Sequence, residues 1–270
     1  MNNTMDNVNL RAVVLDILLE NDKNPGHSNL ITGQALSKFQ YLPKSQRAFI
    51  SRLAEGTIER RIEEDWLIDH VSSVSTKKMK PVIRNIMRMS AYQLKYMDSV
   101  PVSAVCNEAV KLARKRGFSS LTGFVNGVLR SLARDINNIQ YPDKSDFIRY
   151  CMIRYSMPEY VVRILMDECG SCTEDVLKGF EKEHRLYIRC NTGLITPGGL
   201  KKKLTDEGVT VEDTCVPYAF AISGYDYLAD LTSFEEGLFQ VQDLSSILAG
   251  LAVNPNPGDY VVDVCAAPGG

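Results

Sequence analysis

Hydrophobic residues between Leu10 and about Arg134 recur at the three- and four-residue spacing of amphipathic helices. Prolines and glycines interrupt this pattern repeatedly and divide the segment into short helices. The interruptions fall at Asn24-Pro25-Gly26, Pro43, Pro81, Pro101 and Gly117. Residues 1–140 are therefore predicted to form an all-α bundle.

The helix that begins at Pro81 shows the pattern most clearly, because proline suits a first helical turn. Lys80, Arg84 and Arg88 lie at i, i+4 and i+8 on one face, which we predict to face solvent. Four apolar residues define another, buried face. They are Ile83, Met87, Ala91 and Leu94.

The pattern changes after Asn138. Residues 141–185 are predicted to be a helical connector, with helices near 147–155 and 159–168. Residues 186–235 combine short apolar runs with one helical segment that begins after the capping pair Thr196-Pro197, as in a small α+β unit. Its predicted strands are Leu186–Arg189, Val209–Val211 and Tyr218–Ser223.

Residues 236–270 are predicted to begin a further domain. A short strand at 239–242 precedes a helix that Asp243 is expected to cap. A turn then leads to an apolar strand, Tyr260–Val264, and to a glycine-rich end.

Composition excludes several classes of protein. The 270 residues are 44% hydrophobic and 24% charged, and no apolar run approaches the ~20 residues of a membrane helix. The polar residues 1–9 do not resemble a secretory signal, so we expect a cytoplasmic location without a membrane partner. The seven cysteines lack the spacing of a disulfide framework and are predicted to be free thiols.

Charge divides the chain into two parts. Residues 1–150 contain 22 Lys and Arg against 15 Asp and Glu, a net charge of +7, whereas residues 151–270 have a net charge of −9. Residues 77–116 alone carry an excess of +8, which indicates contact with a polyanion such as RNA. A solvated helix surface is the alternative. The predicted RNA-binding residues are Lys77, Lys78, Lys80, Arg84, Arg88, Arg114, Lys115 and Arg116.

The last eight residues carry the most specific motif, Asp-Val-Cys-Ala-Ala-Pro-Gly-Gly at 263–270, which follows an apolar strand. Small residues after a strand let a nucleotide-type ligand approach the backbone. The octapeptide resembles the first S-adenosylmethionine-binding motif of the RNA 5-methylcytosine methyltransferases. The resemblance implies that the cofactor is held by Cys265, Ala266, Ala267, Pro268, Gly269 and Gly270.

Other segments resemble one bacterial family, the RsmB (Sun or Fmu) ribosomal RNA cytosine methyltransferases. The segment 239–246 is similar to the segment that precedes the cofactor motif of these enzymes. Arg189-Cys190-Asn191 is similar to part of their small RNA-recognition-like unit. Four segments resemble their NusB-type helical domain: 46–49, 92–94, 105–109 and 124–130. Met157 stands where the family usually has histidine.

The resemblance implies a multidomain α and α+β chain. Its parts are a NusB-like bundle at 1–140, a helical connector at 141–185, a small α+β unit at 186–235, and the incomplete beginning of a Rossmann-like methyltransferase domain at 236–270. In the family, a cysteine thiolate adds to the cytosine ring so that carbon 5 can accept the methyl group. The implied partner is small-subunit ribosomal RNA.

The family's catalytic cysteines follow the cofactor motif, so the nucleophile is expected beyond Gly270, and the 270-residue chain by itself is expected to be inactive. Thr214-Cys215 imitates the catalytic context but precedes the motif, and Cys169-Gly-Ser-Cys172 is interpreted as a turn at a helix end. A non-catalytic antitermination module of NusB type and a methyltransferase acting on transfer RNA remain as alternatives.

The remaining candidate residues indicate no further chemistry. His27, His70 and His184 lack metal-ligand spacing, so no metal is expected. Trp66 is predicted to anchor the core rather than to stack on a base. The sequence assigns no oligomeric state.

Overall fold

The computed structural model describes residues 8–182 and 185–264. The chain divides into two compact units, one that ends at Glu181 and one that begins at Lys182.

Seven helices form the bundle in the first unit, as the hydrophobic pattern predicts. They are α1 (Leu10–Lys23), α2 (Ser28–Lys38), α3 (Lys44–Glu59), α4 (Arg61–Val71), α5 (Pro81–Tyr96), α6 (Val102–Lys115) and α7 (Thr122–Asp135). The apolar faces of these helices meet in one core. Its fully buried side chains include Leu15, Ile50, Leu53, Ile86 and Leu129.

The helix boundaries follow local chemistry. Asn9 caps α1 by accepting a hydrogen bond from the Ala12 N–H at 3.0 Å. Pro81 occupies the first turn of α5, where its missing N–H costs nothing. Pro101 immediately precedes α6, and Gly117, with φ of 86°, follows its end.

Three further helices belong to the same compact unit: α8 (Phe147–Arg154), α9 (Glu159–Cys169) and α10 (Thr173–Phe180). A 3₁₀ turn at Gly170–Cys172 separates the last two, as predicted for the Cys169–Cys172 segment. Buried Cys151, Tyr155, Val162 and Leu177 form a small core of their own.

A buried carboxylate joins the bundle to the segment that follows it. Glu63 on α4 is fully buried and accepts hydrogen bonds from the Lys95 ammonium at 2.6 Å and from the hydroxyls of Tyr96 and Tyr141. Burial, together with the charge of Glu63, raises the pKa of both tyrosines, so the two phenols remain donors at neutral pH.

Two more contacts strengthen this connection. Glu181 receives the guanidinium of Arg60 from the bundle and that of Arg154 from α8, each at 2.7 Å. The Ser156 hydroxyl accepts a hydrogen bond at 3.0 Å from the N–H of Ile62, which lies in the first turn of α4 and has no intrahelical partner. Ser156 adopts a positive φ of 52° in this position.

The second unit contains a four-stranded antiparallel sheet in the order β2-β3-β1-β4. The strands are β1 (Leu186–Cys190), β2 (Thr210–Asp213), β3 (Ala219–Ser223) and β4 (Phe239–Val241). Helices α11 (Pro197–Asp206), α12 (Thr232–Glu235) and α13 (Leu244–Val253) accompany it. Leu200 and Leu204 of α11 share a core with the sheet residues Ile188, Phe220 and Phe239.

The end of the described chain departs from the sequence prediction in three respects. The strand predicted at 239–242 forms at Phe239–Val241, but it is an edge strand of the small sheet, paired with β1, and not the first strand of a further domain. Asp243 precedes α13, but its side chain makes no capping hydrogen bond. Residues 260–264 form no strand within the described chain, and Tyr260 is 94% exposed, since no neighbouring strand covers this apolar segment there.

Candidate nucleic-acid interface

Three predicted RNA-binding lysines lie around a turn that precedes α5. Asp69 of α4 fixes this turn by accepting hydrogen bonds from the Thr76 N–H at 2.7 Å and from the Ser75 hydroxyl at 3.0 Å. Lys77, Lys78 and Lys80 are all exposed, and none forms an ion pair with a described residue. These ammonium groups are available to an anionic partner.

Arg114 and Lys115 extend this charged surface. Both are exposed in the last turn of α6, where cations also compensate the helix dipole. The turn at 97–101 is short and α5 packs against α6, so the start of α5 and the end of α6 lie at the same end of the helix pair. We call this surface the basic end: Lys77, Lys78, Lys80, Arg114 and Lys115.

The other three predicted residues have carboxylate partners inside the protein, which corrects the expected solvent-facing stripe. Arg88 is buried, with 8% of its side chain exposed, and binds Asp65 through two hydrogen bonds of 2.7 and 2.6 Å. Arg84 pairs with Asp22 at 3.2 Å. Helices α1 and α4 pack on this face of α5 and supply these acids.

Arg116 is likewise engaged within the bundle. Its guanidinium pairs with Asp16 of α1 at 2.6 Å and lies 3.4 Å from the Ala12 carbonyl oxygen. Arg84, Arg88 and Arg116 therefore stabilise the packing of α5 and α6 against neighbouring helices. Each of them already has a carboxylate partner with which a phosphate would compete.

Trp66 lies only partly buried, contrary to its prediction as a core anchor. It lines a surface cleft of about 660 Å³ between α4, α8 and the turn at Thr76–Lys78. The cleft also contains His70, Lys77 and Arg149. Sequence reasoning missed it because Arg149 comes from a helix that follows the bundle.

Three of the described cysteines, Cys106, Cys151 and Cys190, are buried. Burial raises the pKa of the Cys151 thiol to about 11 and also raises the pKa values of Cys106 and Cys190. Cys215 is exposed and free, and it lies in a turn that the Thr214 hydroxyl closes through the Ala219 carbonyl at 2.8 Å.

The predicted cofactor residues, Cys265 to Gly270, lie outside the described residues, and so does His184. Within residues 8–182 and 185–264, no three His, Cys, Asp or Glu side chains come together as a metal site would require. None of the helices in that part of the chain combines the length and apolarity needed to cross a bilayer.

The fold places this chain in a class of proteins in which a NusB-type helical domain is followed by a unit with a small antiparallel sheet. Residues 8–134 match the model of the NusB family. The crystal structure of PH0851 has the same fold over 97% of this chain and 58% of its own, with a TM-score of 0.68 and 22% identity.

Relatives with assigned names are more specific. A protein of Bacillus subtilis named probable ribosomal RNA small subunit methyltransferase B is 29% identical over 98% of this chain. One of the same name from Synechocystis is 28% identical over 97%. The chain spans 59% of the length of each relative. Together with the NusB domain, these matches confirm the resemblance to the RsmB family.

Proposed function

We propose that the protein containing this chain methylates carbon 5 of a cytosine in small-subunit ribosomal RNA. One observation carries this proposal. Relatives named probable ribosomal RNA small subunit methyltransferase B align with 97–98% of the chain, at 28–29% identity. A NusB domain at 8–134 and the cofactor-type octapeptide at 263–270 support it.

The octapeptide would supply the cofactor contact. S-adenosylmethionine donates the methyl group, which replaces a hydrogen lost from carbon 5 as a proton. Gly269 and Gly270 would leave room for the cofactor, because a Cβ at either position would intrude on the ligand. The attacking thiol would come from a segment after the octapeptide, because the family that the chain resembles carries its catalytic cysteines there.

The first unit would hold the RNA. Its basic end presents five exposed cations, three of which lie close together on the Thr76–Lys78 turn and the residue before α5. Clustered Lys and Arg bind phosphates and release counterions. Because Arg84, Arg88 and Arg116 pair with carboxylates within the protein, we place the proposed contact on this surface.

Methyl transfer tests the enzymatic proposal. The complete gene product, incubated with labelled S-adenosylmethionine and unmodified small-subunit RNA, is expected to label a cytosine at carbon 5. Gly269→Val should abolish cofactor binding and labelling while RNA binding persists. The chain of residues 1–270 alone is expected to transfer no label.

The outcomes separate the alternatives. RNA binding without any transfer by the complete protein would favour an antitermination-type module. Transfer to transfer RNA alone would favour the second enzymatic alternative. Transfer by residues 1–270 would return the nucleophile to one of the seven cysteines.

Salt dependence tests the basic end. Log affinity should fall with log salt by about 0.7–0.9 per phosphate contact. Replacing Lys77, Lys78 and Lys80 by glutamine should therefore reduce the slope by about 2–3. Lys78→Gln alone can be compared with Lys38→Gln, which removes an exposed lysine from α2. Equal slopes for these two variants and the wild type would contradict the assignment.

A further inference from the structure

The cleft beside Trp66 is lined by aromatic and cationic side chains, and its volume is large enough for a small ligand. Its volume of about 660 Å³ falls within the ~300–1,000 Å³ of typical ligand pockets. Trp66 and His70 come from α4, Lys77 from the following turn, and Arg149 and Met152 from α8. All of these elements belong to the first compact unit.

Planar groups meet in the cleft. The His70 ring lies with its centroid 4.3 Å from that of Trp66 and is tilted by 58° to it, and the Arg149 guanidinium carbon lies 5.3 Å from the centroid of the indole. The Trp66 indole N–H points to the Gln140 carbonyl at 3.4 Å, which orients the ring. Unstacked bases bind to aromatic rings and to arginine planes of this kind.

His70 offers a polar edge to the cleft. Its Nδ1 lies 2.9 Å from the Trp66 carbonyl oxygen, so Nδ1 carries the proton and donates. In the neutral ring Nε2 is then an acceptor, available to an amino group of a base.

The charges of the cleft favour an anion despite two acidic residues. Asp65 uses both carboxylate oxygens on Arg88, and Asp69 uses both on Ser75 and Thr76. Lys77 and Arg149 are exposed, and neither forms an ion pair with a residue in the described ranges. Both carboxylates thus have partners within the protein, whereas Lys77 and Arg149 have no carboxylate partner among the described residues.

We propose that this cleft receives an unpaired base of RNA, with Lys77 and Arg149 contacting the adjacent phosphates. The proposal rests on the RNA binding proposed above and specifies the RNA as a single-stranded loop or bulge, because a paired base cannot enter the cleft. Lys77 belongs both to the cleft and to the basic end, so a strand bound along the basic end continues into the cleft.

The chain contains its own reporter, since Trp66 is the only tryptophan among its 270 residues. The wild-type chain is titrated with a hairpin that carries an unpaired loop and with a fully paired duplex of equal length. Each RNA bears a fluorophore whose anisotropy reports binding. Trp66 fluorescence should change with the loop RNA and not with the duplex.

Three results would count against the proposal in distinct ways. Loop binding seen by anisotropy without a change in Trp66 fluorescence overturns the cleft site but leaves RNA binding intact. Equal fluorescence changes with loop and duplex overturn the selectivity for unpaired bases. Absence of binding to either RNA overturns both proposals together.

Variants separate stacking from folding. Trp66→Leu should weaken loop binding about tenfold, the lower part of the range for one stacked base, while Trp66→Phe should retain it within about twofold. Arg149→Gln should weaken loop binding more than Lys38→Gln, which lies outside the cleft. Thermal unfolding shows whether each variant is folded, and equal affinities for the folded Leu and Phe variants would contradict stacking.

Discussion

Glu63→Ala is expected to destabilise the first unit by about 3–5 kcal/mol, because it leaves buried cationic and phenolic partners without their shared acceptor. Lys95, Tyr96 and Tyr141 all donate to this fully buried carboxylate. Urea unfolding, followed by Trp66 fluorescence and by circular dichroism, measures the change. Both probes should report the same transition if the unit unfolds cooperatively.

Glu59→Ala provides the matched control. Glu59 is an exposed glutamate in the last turn of α3, and surface substitutions of this kind usually change stability by less than ~0.5 kcal/mol. If Glu63→Ala lowered the free energy of unfolding by as little as Glu59→Ala does, the buried network would contribute little to stability.

Glu64→Met is expected to act in the opposite direction and to stabilise the unit by about 1–3 kcal/mol at neutral pH. Glu64 follows Glu63 in α4 and is 1% exposed, but neither of its carboxyl oxygens has a hydrogen-bond partner. Methionine fills a similar volume without a polar group. The same urea unfolding experiment compares the variant with the wild type.

The stabilisation by Glu64→Met should depend on pH. Burial raises the pKa of Glu64 well above its ordinary value; Arg88 and Arg61 oppose this shift, whereas Asp65 and Glu63 add to it. Between the ordinary value of ~4.3 and the raised value, the unfolded chain has released a proton that the folded chain retains. Wild-type stability therefore falls as pH rises through this window, and the advantage of methionine grows. An advantage that shrinks with rising pH would contradict this assignment.

The helices could be predicted from sequence because their signals are local. Pro81 and Pro101 mark helix starts, Gly117 marks an end, and the apolar spacing identifies Ile83 and Met87 as buried. The same reasoning located β1 and β3 and, by overlap at 209–211, β2, since short apolar runs between turn residues are typical of strands. It also located the strand at 239–241 but assigned it to a further domain instead of the small sheet.

The charged residues could not be assigned in the same way, because their partners are distant in sequence. Arg88 pairs with a residue 23 positions away, and Arg116 with one 100 positions away. A local excess of +8 between residues 77 and 116 therefore overstates the charge open to RNA. Only a packed bundle shows that Asp16, Asp22 and Asp65 neutralise part of it.

The hydrogen bond from Tyr141 to Glu63 and the ion pair of Arg60 with Glu181 have a consequence for synthesis of the protein. The NusB-family match ends at residue 134, yet Glu63 and Arg60 of the bundle gain Tyr141 and Glu181 as partners only when residues up to 181 are present. At a translation rate of ~5–20 residues per second, the nascent bundle waits roughly 2–10 seconds for that segment. During this interval Glu63 has donors only from Lys95 and Tyr96, and the buried network reaches its full set of partners once the first unit is complete.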